Sequence, residues 1–280
     1  MLGKYPTPPS SAVPSLTEIR SNKTIAYVAP FVVFMLFLSL DAVLSATGFK
    51  IENEYAGAWY RFYTEQWIYP LQSIVCFAVL LFFWKNYEFR PVKGWGFGLA
   101  VGAIGIVLWI LPAMLYAPLG VKDWPSIELS VPLILDNTPV WSLLGLAERP
   151  EGFDATWFRD DHPFWYACAI FMRFFRMVIV VALVEELFWR GFLLRYLINP
   201  EKPFWKIAFG TYQARAFWIV VGLFMLAHAP EDWLGAIIFS VLANWVAIRT
   251  KSLFACVLCH AVANLLLGVY VMLTQQWGYW

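Results

Sequence analysis

Charged residues make up only 14% of this 280-residue chain, against 61% hydrophobic. That scarcity excludes an ordinary soluble domain, in which about a quarter of residues carry charge. The 20 Lys and Arg nearly balance the 19 Asp and Glu, leaving a net charge of +1. No basic stripe interrupts the pattern, so nucleic acid is not an expected partner. Cysteine is also sparse. Cys256 and Cys259 share a helical face at i, i+3, but no second pair matches them, which argues against a zinc ribbon. Together with Cys76 and Cys168 they lie in apolar windows and read as small buried packing thiols. The HExxH spacing of a one-helix zinc site is missing, and no repeat of fixed period is present. The first ten residues, MLGKYPTPPS, are polar and Pro-rich and lack the apolar run of a signal peptide, so 1–23 is expected to be a disordered tail.

What is abundant is apolar run. Windows able to cross a hydrocarbon core, roughly 20 residues each, are Thr24 to Gly48, Trp67 to Trp84, Trp95 to Tyr116, Phe164 to Leu197, Ala214 to His228, Trp233 to Ile248 and Leu253 to Leu273. The expectation is an all-α, polytopic membrane bundle of about seven transmembrane helices. The fourth window would run to roughly 50 Å as a helix. Arg173 and Arg176 in its first half suggest a tilted or broken helix, or an entry turn in the headgroup layer. Trp59, Trp67, Trp84, Trp95, Trp124 and Trp277 fall near window ends and fit an interfacial aromatic belt.

Flanking basic residues set an orientation. Lys85, Arg90 and Lys93, then Arg195, Lys202, Lys206 and Arg215, then Arg249 and Lys251, occupy loops on one side, expected to be cytoplasmic together with the amino terminus. The opposite loop, Ala117 to His162, is acidic and Pro-rich and could pack as an external or re-entrant cap. Buried polar residues cluster after residue 170, so 24–162 reads as amino-terminal helices with their loop and 163–280 as the functional bundle.

Within the fourth window, Glu185, Glu186 and Arg190 fall inside six residues. Each costs on the order of 3 kcal/mol near the centre of a spanning helix, so they must pair or work. Glu186 and Arg190, at i, i+4, can form an ion pair on one face. Glu185 points about 100° away, and a carboxylate there without a dedicated cation is suited to take a proton from water. A purely structural network remains the alternative. His228 ends the fifth window ahead of Pro230, and His260 and Asn264 share a face at i, i+4 in the seventh. Each alone could be ordinary interhelical hydrogen bonding. Counted inward from the basic markers at ~1.5 Å per residue, Glu185, His228, His260 and Asn264 all fall roughly 14 to 20 Å deep. One shared layer is not required of unrelated structural pairs.

The run Glu185-Glu186-Leu187-Phe188-Trp189-Arg190, then Phe224 to His228, then His260 to Asn264, resembles the three-motif signature of the CAAX protease and bacteriocin-processing (CPBP, or Abi) family, which includes the type II CAAX prenyl endopeptidase. More narrowly, EELFWRGFLLRYLINP and NLLLGVYVMLTQQWGYW are similar to the exosortase-associated CAAX-protease-related bacterial subgroup. The resemblance covers about the last 120 residues. It implies an intramembrane endopeptidase in a bacterial inner membrane, acting on a membrane protein or on a lipidated or sorting-tagged peptide. Glu185 and His228 would activate water, His260 and Asn264 would donate to the oxyanion, and Glu186 and Arg190 would support the helix. Arg190 could also steer a substrate carboxylate. No cofactor is expected. Zinc is the alternative, held by Glu185, His228 and His260, since two His and one Glu suffice for a catalytic zinc with an open position. A secondary transporter or proton relay, or a non-catalytic immunity or scaffold protein, are the rival classes.

Overall fold

A computed structural model describes residues 15–46, 65–125, 127–131, 135–156 and 159–280. The first fourteen residues of the expected tail, and Trp59, lie outside the described residues. The end of that tail is a short helix, α1 (Leu16–Ser21), nucleated by a reciprocal capping box between Ser15 and Glu18.

Among the described residues, six helices are long and apolar enough to cross a membrane. α2 (Lys23–Ala46), α3 (Glu65–Phe83) and α4 (Trp95–Tyr116) precede the outer loop. That loop contains an antiparallel hairpin of β1 (Glu128–Val131) and β2 (Leu135–Pro139), followed by a turn of helix, α5 (Val140–Leu143). One 36-residue helix then runs Pro163–Ile198. It is built from α6 (Pro163–Phe174), α7 (Ala182–Glu186) and α8 (Leu194–Ile198), joined by π-helical segments Phe175–Val181 and Leu187–Leu193. α9 (Ala214–Leu226), α10 (Trp233–Thr250) and α11 (Leu253–Thr274) complete the bundle. α9 has only 13 residues, about 20 Å, and is shorter than the six candidate spans.

Connectivity places the basic loops at one end of the bundle, as their charge predicts. Arg195 of α8 lies 3.5 Å from Glu88 after α3, Lys23 bonds Glu88 at 2.7 Å, Lys251 after α10 donates to the Gly210 carbonyl, and the Ser252 hydroxyl donates to Pro91 O at 2.6 Å. At the other end Arg149 gathers the outer loop and the chain terminus. Its Nη1 donates to Asp232 Oδ1 (2.7 Å) and its Nη2 to Glu231 O (2.6 Å), while its backbone is bonded by Gln276 and Gly278. Trp277 is buried there at 5% exposure beside Trp280, so it belongs to this internal clasp and not to an interfacial belt. Trp84, Trp95 and Trp124 are exposed, as the belt requires.

The long helix is the axis of the bundle. Arg173, Met177, Val181 and Glu185 recur every four residues and all line one internal cavity. On a pure α-helix that spacing would drift about 40° per step, roughly 120° in all. The Phe175–Val181 segment removes the drift, because a π turn takes up one more residue than an α turn. Arg173 and Arg176 therefore face the cavity, on a helix that continues over 36 residues but changes to a π turn at Phe175–Val181.

α11 is seated by close approach of backbones. A Cβ on Gly98 would stand 2.5 Å from Ala255 O, and one on Gly102 would collide with Cys259 O. These glycines, spaced four apart, let α4 lie against α11 without intervening side chains. Gly102→Val is therefore expected to lower detergent thermostability by about 1–3 kcal/mol through overpacking. Gly96→Ala, whose added methyl would meet nothing within 4 Å, should leave the melting temperature nearly unchanged.

Candidate active site

Glu185, His228, His260 and Asn264 come from three parts of the chain and line a single cavity of about 240 Å³. Its walls are otherwise largely apolar, with Phe34, Met35 and Leu38 from α2, Trp109 from α4 and Phe239 from α10. Glu185 is 9% exposed, and its Oε2 is buried with no hydrogen-bond partner among the described residues. Orphaned buried acceptors are rare because each forfeits its hydration. A carboxylate oxygen in this state is poised for a polar group that enters the chamber.

The adjacent glutamate also has a buried Oε2 without a hydrogen-bond partner among the described residues, but its Oε1 is committed and it does not line the chamber. Glu186 Oε1 accepts from Arg190 Nη1 at 2.9 Å and from His260 Nδ1 at 2.9 Å, with both glutamate and arginine fully buried. Arg190 Nε donates to Asn244 Oδ1 (3.2 Å), and its Nη2 lies 3.4 Å from both the carbonyl and the hydroxyl of Ser240. Asn244 Nδ2 in turn donates to Phe217 O in α9 (3.4 Å). One ion pair thus pins the long helix to α9, α10 and α11. Arg190 is consumed by this network and shows no surface to the chamber, which corrects the expectation that it could steer substrate.

Both histidines are held by Nδ1. His228 Nδ1 lies 2.7 Å from Phe224 O, and since a carbonyl only accepts, the proton is on Nδ1. The ring so caps the last turn of α9, sharing the Phe224 carbonyl with Ala227 N, which donates to it at 3.2 Å. His260 Nδ1 is engaged by Glu186. In each ring Nε2 is left for other work. Asn264 Nδ2 donates to Met177 O at 2.6 Å, inside the first π segment, which leaves one of its two amide N–H bonds uncommitted by that contact.

Behind His228 lies an arrangement that spacing in sequence could not reveal. The Trp109 ring meets His228 edge-on at 5.5 Å, and its Nε1 donates to Asp232 Oδ1 at 3.0 Å, the oxygen that also receives Arg149. Arg149 packs 4.3 Å from the Tyr279 ring centre. Burial pushes the Tyr279 phenol up to about 12, so it stays neutral beside that guanidinium. Among the described residues no three His, Cys, Asp or Glu side chains gather closely enough to hold a metal ion.

The fold and the chamber together define a class, a polytopic membrane bundle around an internal polar site. Residues 167–266 match the family model described as type II CAAX prenyl endopeptidase Rce1-like, a little over a third of the chain. That stretch holds all four chamber residues together with Glu186 and Arg190. No curated protein and no solved structure matches the chain.

Glu186→Gln should leave the Arg190 charge uncompensated in a dry interior and cost about 3–5 kcal/mol. The check is detergent thermal unfolding. Replacing both partners, Glu186→Gln with Arg190→Met, should recover much of that loss. A single variant as stable as wild type would contradict the assignment of Glu186 to the helix-joining pair.

Proposed function

We propose that this chain is an intramembrane endopeptidase that cleaves a membrane-anchored protein or peptide by direct attack of water. The observation that carries this reading is the unpartnered Glu185 Oε2 opening on the same chamber as two histidines whose Nδ1 atoms are already occupied. Similarity to the prenyl endopeptidase family over 167–266 supports the same class of reaction.

In this mechanism a water sits between Glu185 and His228 Nε2. Glu185 takes one proton as the water oxygen attacks the scissile carbonyl carbon. Charge moves to the carbonyl oxygen, which accepts hydrogen bonds from His260 through Nε2 and from the second amide N–H of Asn264. These donors are preorganised, because Glu186 fixes the imidazole and Met177 O fixes the amide. The Glu186 carboxylate behind His260 offsets the charge that the ring carries when it donates through both nitrogens. Glu185 then returns its proton to the leaving nitrogen and the C–N bond breaks, leaving a new carboxyl and a new amine. The enclosed apolar walls strengthen each of these interactions by limiting water. By the positive-inside rule, the end carrying Arg90, Lys93, Arg195 and Lys251 faces the cytoplasm.

Glu185→Gln and His228→Ala should each lower cleavage by about 10²–10⁴-fold, the span of general acid-base catalysis. Both should leave insertion and melting temperature nearly unchanged. Comparative proteomics of membrane-protein termini, with wild type against Glu185→Gln, reads substrate and reaction together. Identical termini in the two samples would remove the catalytic assignment. Cleavage should survive exhaustive chelation. Its loss, restored by added zinc, would replace glutamate chemistry with metal chemistry. Solute flux in proteoliposomes without peptidase activity would point instead to a transporter.

A further inference from the structure

The end of the bundle away from the Arg149 clasp holds a second hollow, of about 420 Å³, that the chamber chemistry does not use. Its walls come from the connection between α3 and α4 (Glu88, Arg90, Lys93), from α8 (Arg195), from the connection before α9 (Phe209) and from the turn between α10 and α11 (Lys251). Four cationic residues and one carboxylate line it. That carboxylate, Glu88, is engaged at both oxygens, by Lys23 at 2.7 Å and by Arg195 at 3.5 Å. A neighbouring hollow of about 330 Å³ shares Lys93 and adds Arg249 and Phe97.

The walls are tied to one another before any ligand arrives. The Ser252 hydroxyl donates to Pro91 O at 2.6 Å, Lys251 Nζ donates to Gly210 O, and Arg195 Nε donates to Gly191 O at 2.6 Å. Arg195 is buried, with its guanidinium held 4.8 Å from the Phe204 ring and 5.8 Å from that of Phe209. Gly210, at φ +73°, lets its connection touch the end of α10, since a Cβ there would collide with Ala247 O. Such a preorganised site loses little freedom when a ligand enters.

We propose that this pocket binds the headgroup phosphate of an anionic glycerophospholipid. Surplus positive charge in a walled site selects an anion, and Arg and Lys donors match phosphate oxygens. The level in the bundle selects a lipid. All six candidate spans begin or end here, at Lys23, Asn86, Trp95, Ile198, Thr250 and Leu253, which is headgroup depth. Basic pockets between spans at that depth take acidic lipids. Val92, Trp95 and Tyr212, which flank the pocket residues in sequence, are 59%, 58% and 59% exposed, as suits an interface with lipid better than one with water. From Lys93 the second hollow leads to Phe97, whose ring meets the exposed Trp245 ring at 4.8 Å, a path for an acyl chain along α4 and α10. Engagement of both Glu88 oxygens by cations disfavours the ammonium of a zwitterionic headgroup.

This site is separate from the chamber, and its test does not depend on cleavage. Full-length protein, delipidated in a neutral detergent, is titrated with phosphatidylglycerol or with phosphatidylcholine of the same acyl chains, and the melting temperature is followed. Phosphatidylglycerol at about a hundredfold its Kd should raise that temperature by about 5–10 °C, and phosphatidylcholine by much less. Arg90→Gln with Lys93→Gln, two exposed positions, should weaken the apparent affinity for phosphatidylglycerol about tenfold or more. Lys85→Gln with Lys202→Gln removes the same charge from the same end outside the pocket and should keep the wild-type affinity. Native mass spectrometry of wild type needs no variant, and a bound phosphatidylglycerol should survive activation that strips phosphatidylcholine. Equal shifts with the two lipids, equal loss in both double variants, or no retained phosphatidylglycerol would overturn the site. Inorganic phosphate that reproduces the full shift without lipid would make this a free-anion site and overturn the lipid assignment.

Discussion

A carboxylate and a guanidinium in hydrocarbon each forfeit several kcal/mol of hydration, and only close pairing with full hydrogen bonding recovers it. Glu186 and Arg190 are paired through Glu186 Oε1 and the guanidinium, with help from α10 and α11, while Glu186 Oε2 has no hydrogen-bond partner among the described residues. Such a pair adds little stability over a well-packed apolar substitute, yet it penalises every arrangement in which one partner is missing. Sliding α10 by a turn would remove Ser240 and Asn244 from Arg190. Rotating α11 would remove His260 from Glu186. The network thus fixes helix register more than it adds cohesion, and register is what a site assembled from separate helices needs.

Two neighbouring glutamates have opposite fates because adjacent helical residues diverge by about 100°. One direction from the long helix leads into the space between α10 and α11, where Arg190 waits. The other leads into the chamber, where Glu185 meets apolar walls and the Nε2 edges of two rings. Both directions must be held at once, and the π segments on either side of α7 do this. They let a four-residue repeat remain on the chamber face while the pair four residues apart closes on the buried one. Gly191, in the second π segment, admits the Tyr27 ring of α2, whose carbons would stand 2.8 and 2.9 Å from an added Cβ.

Much of this was legible in the residues. Hydropathy located the spans, the basic loops predicted which turns share an end, and the i, i+4 spacing of Glu186 and Arg190 foretold the pair. What stayed hidden depends on tertiary neighbours. Nothing about Asn244 or Ser240 distinguishes them from other small polar residues of a membrane helix until Arg190 points at them. The bond between Glu186 and His260 joins positions 74 apart, and no local pattern announces it. The π segments have no composition of their own, although the four-residue recurrence of Arg173, Met177, Val181 and Glu185 was a readable trace of under-winding. That Arg173 and Arg176 line the cavity was equally hidden, because their facing depends on the π segment Phe175–Val181.

The same physics explains why an unsatisfied group can persist at the centre of so economical a network. A fully bonded Glu185 would be more stable and useless as a base, because its lone pairs would be committed before any water arrived. Its exposed edge is tolerable only while the surrounding structure holds against local rearrangement. The Glu186–Arg190 pair one residue away supplies that rigidity at the closest possible point in the chain. Strain and support are adjacent because a helix transmits position most faithfully over the shortest distance.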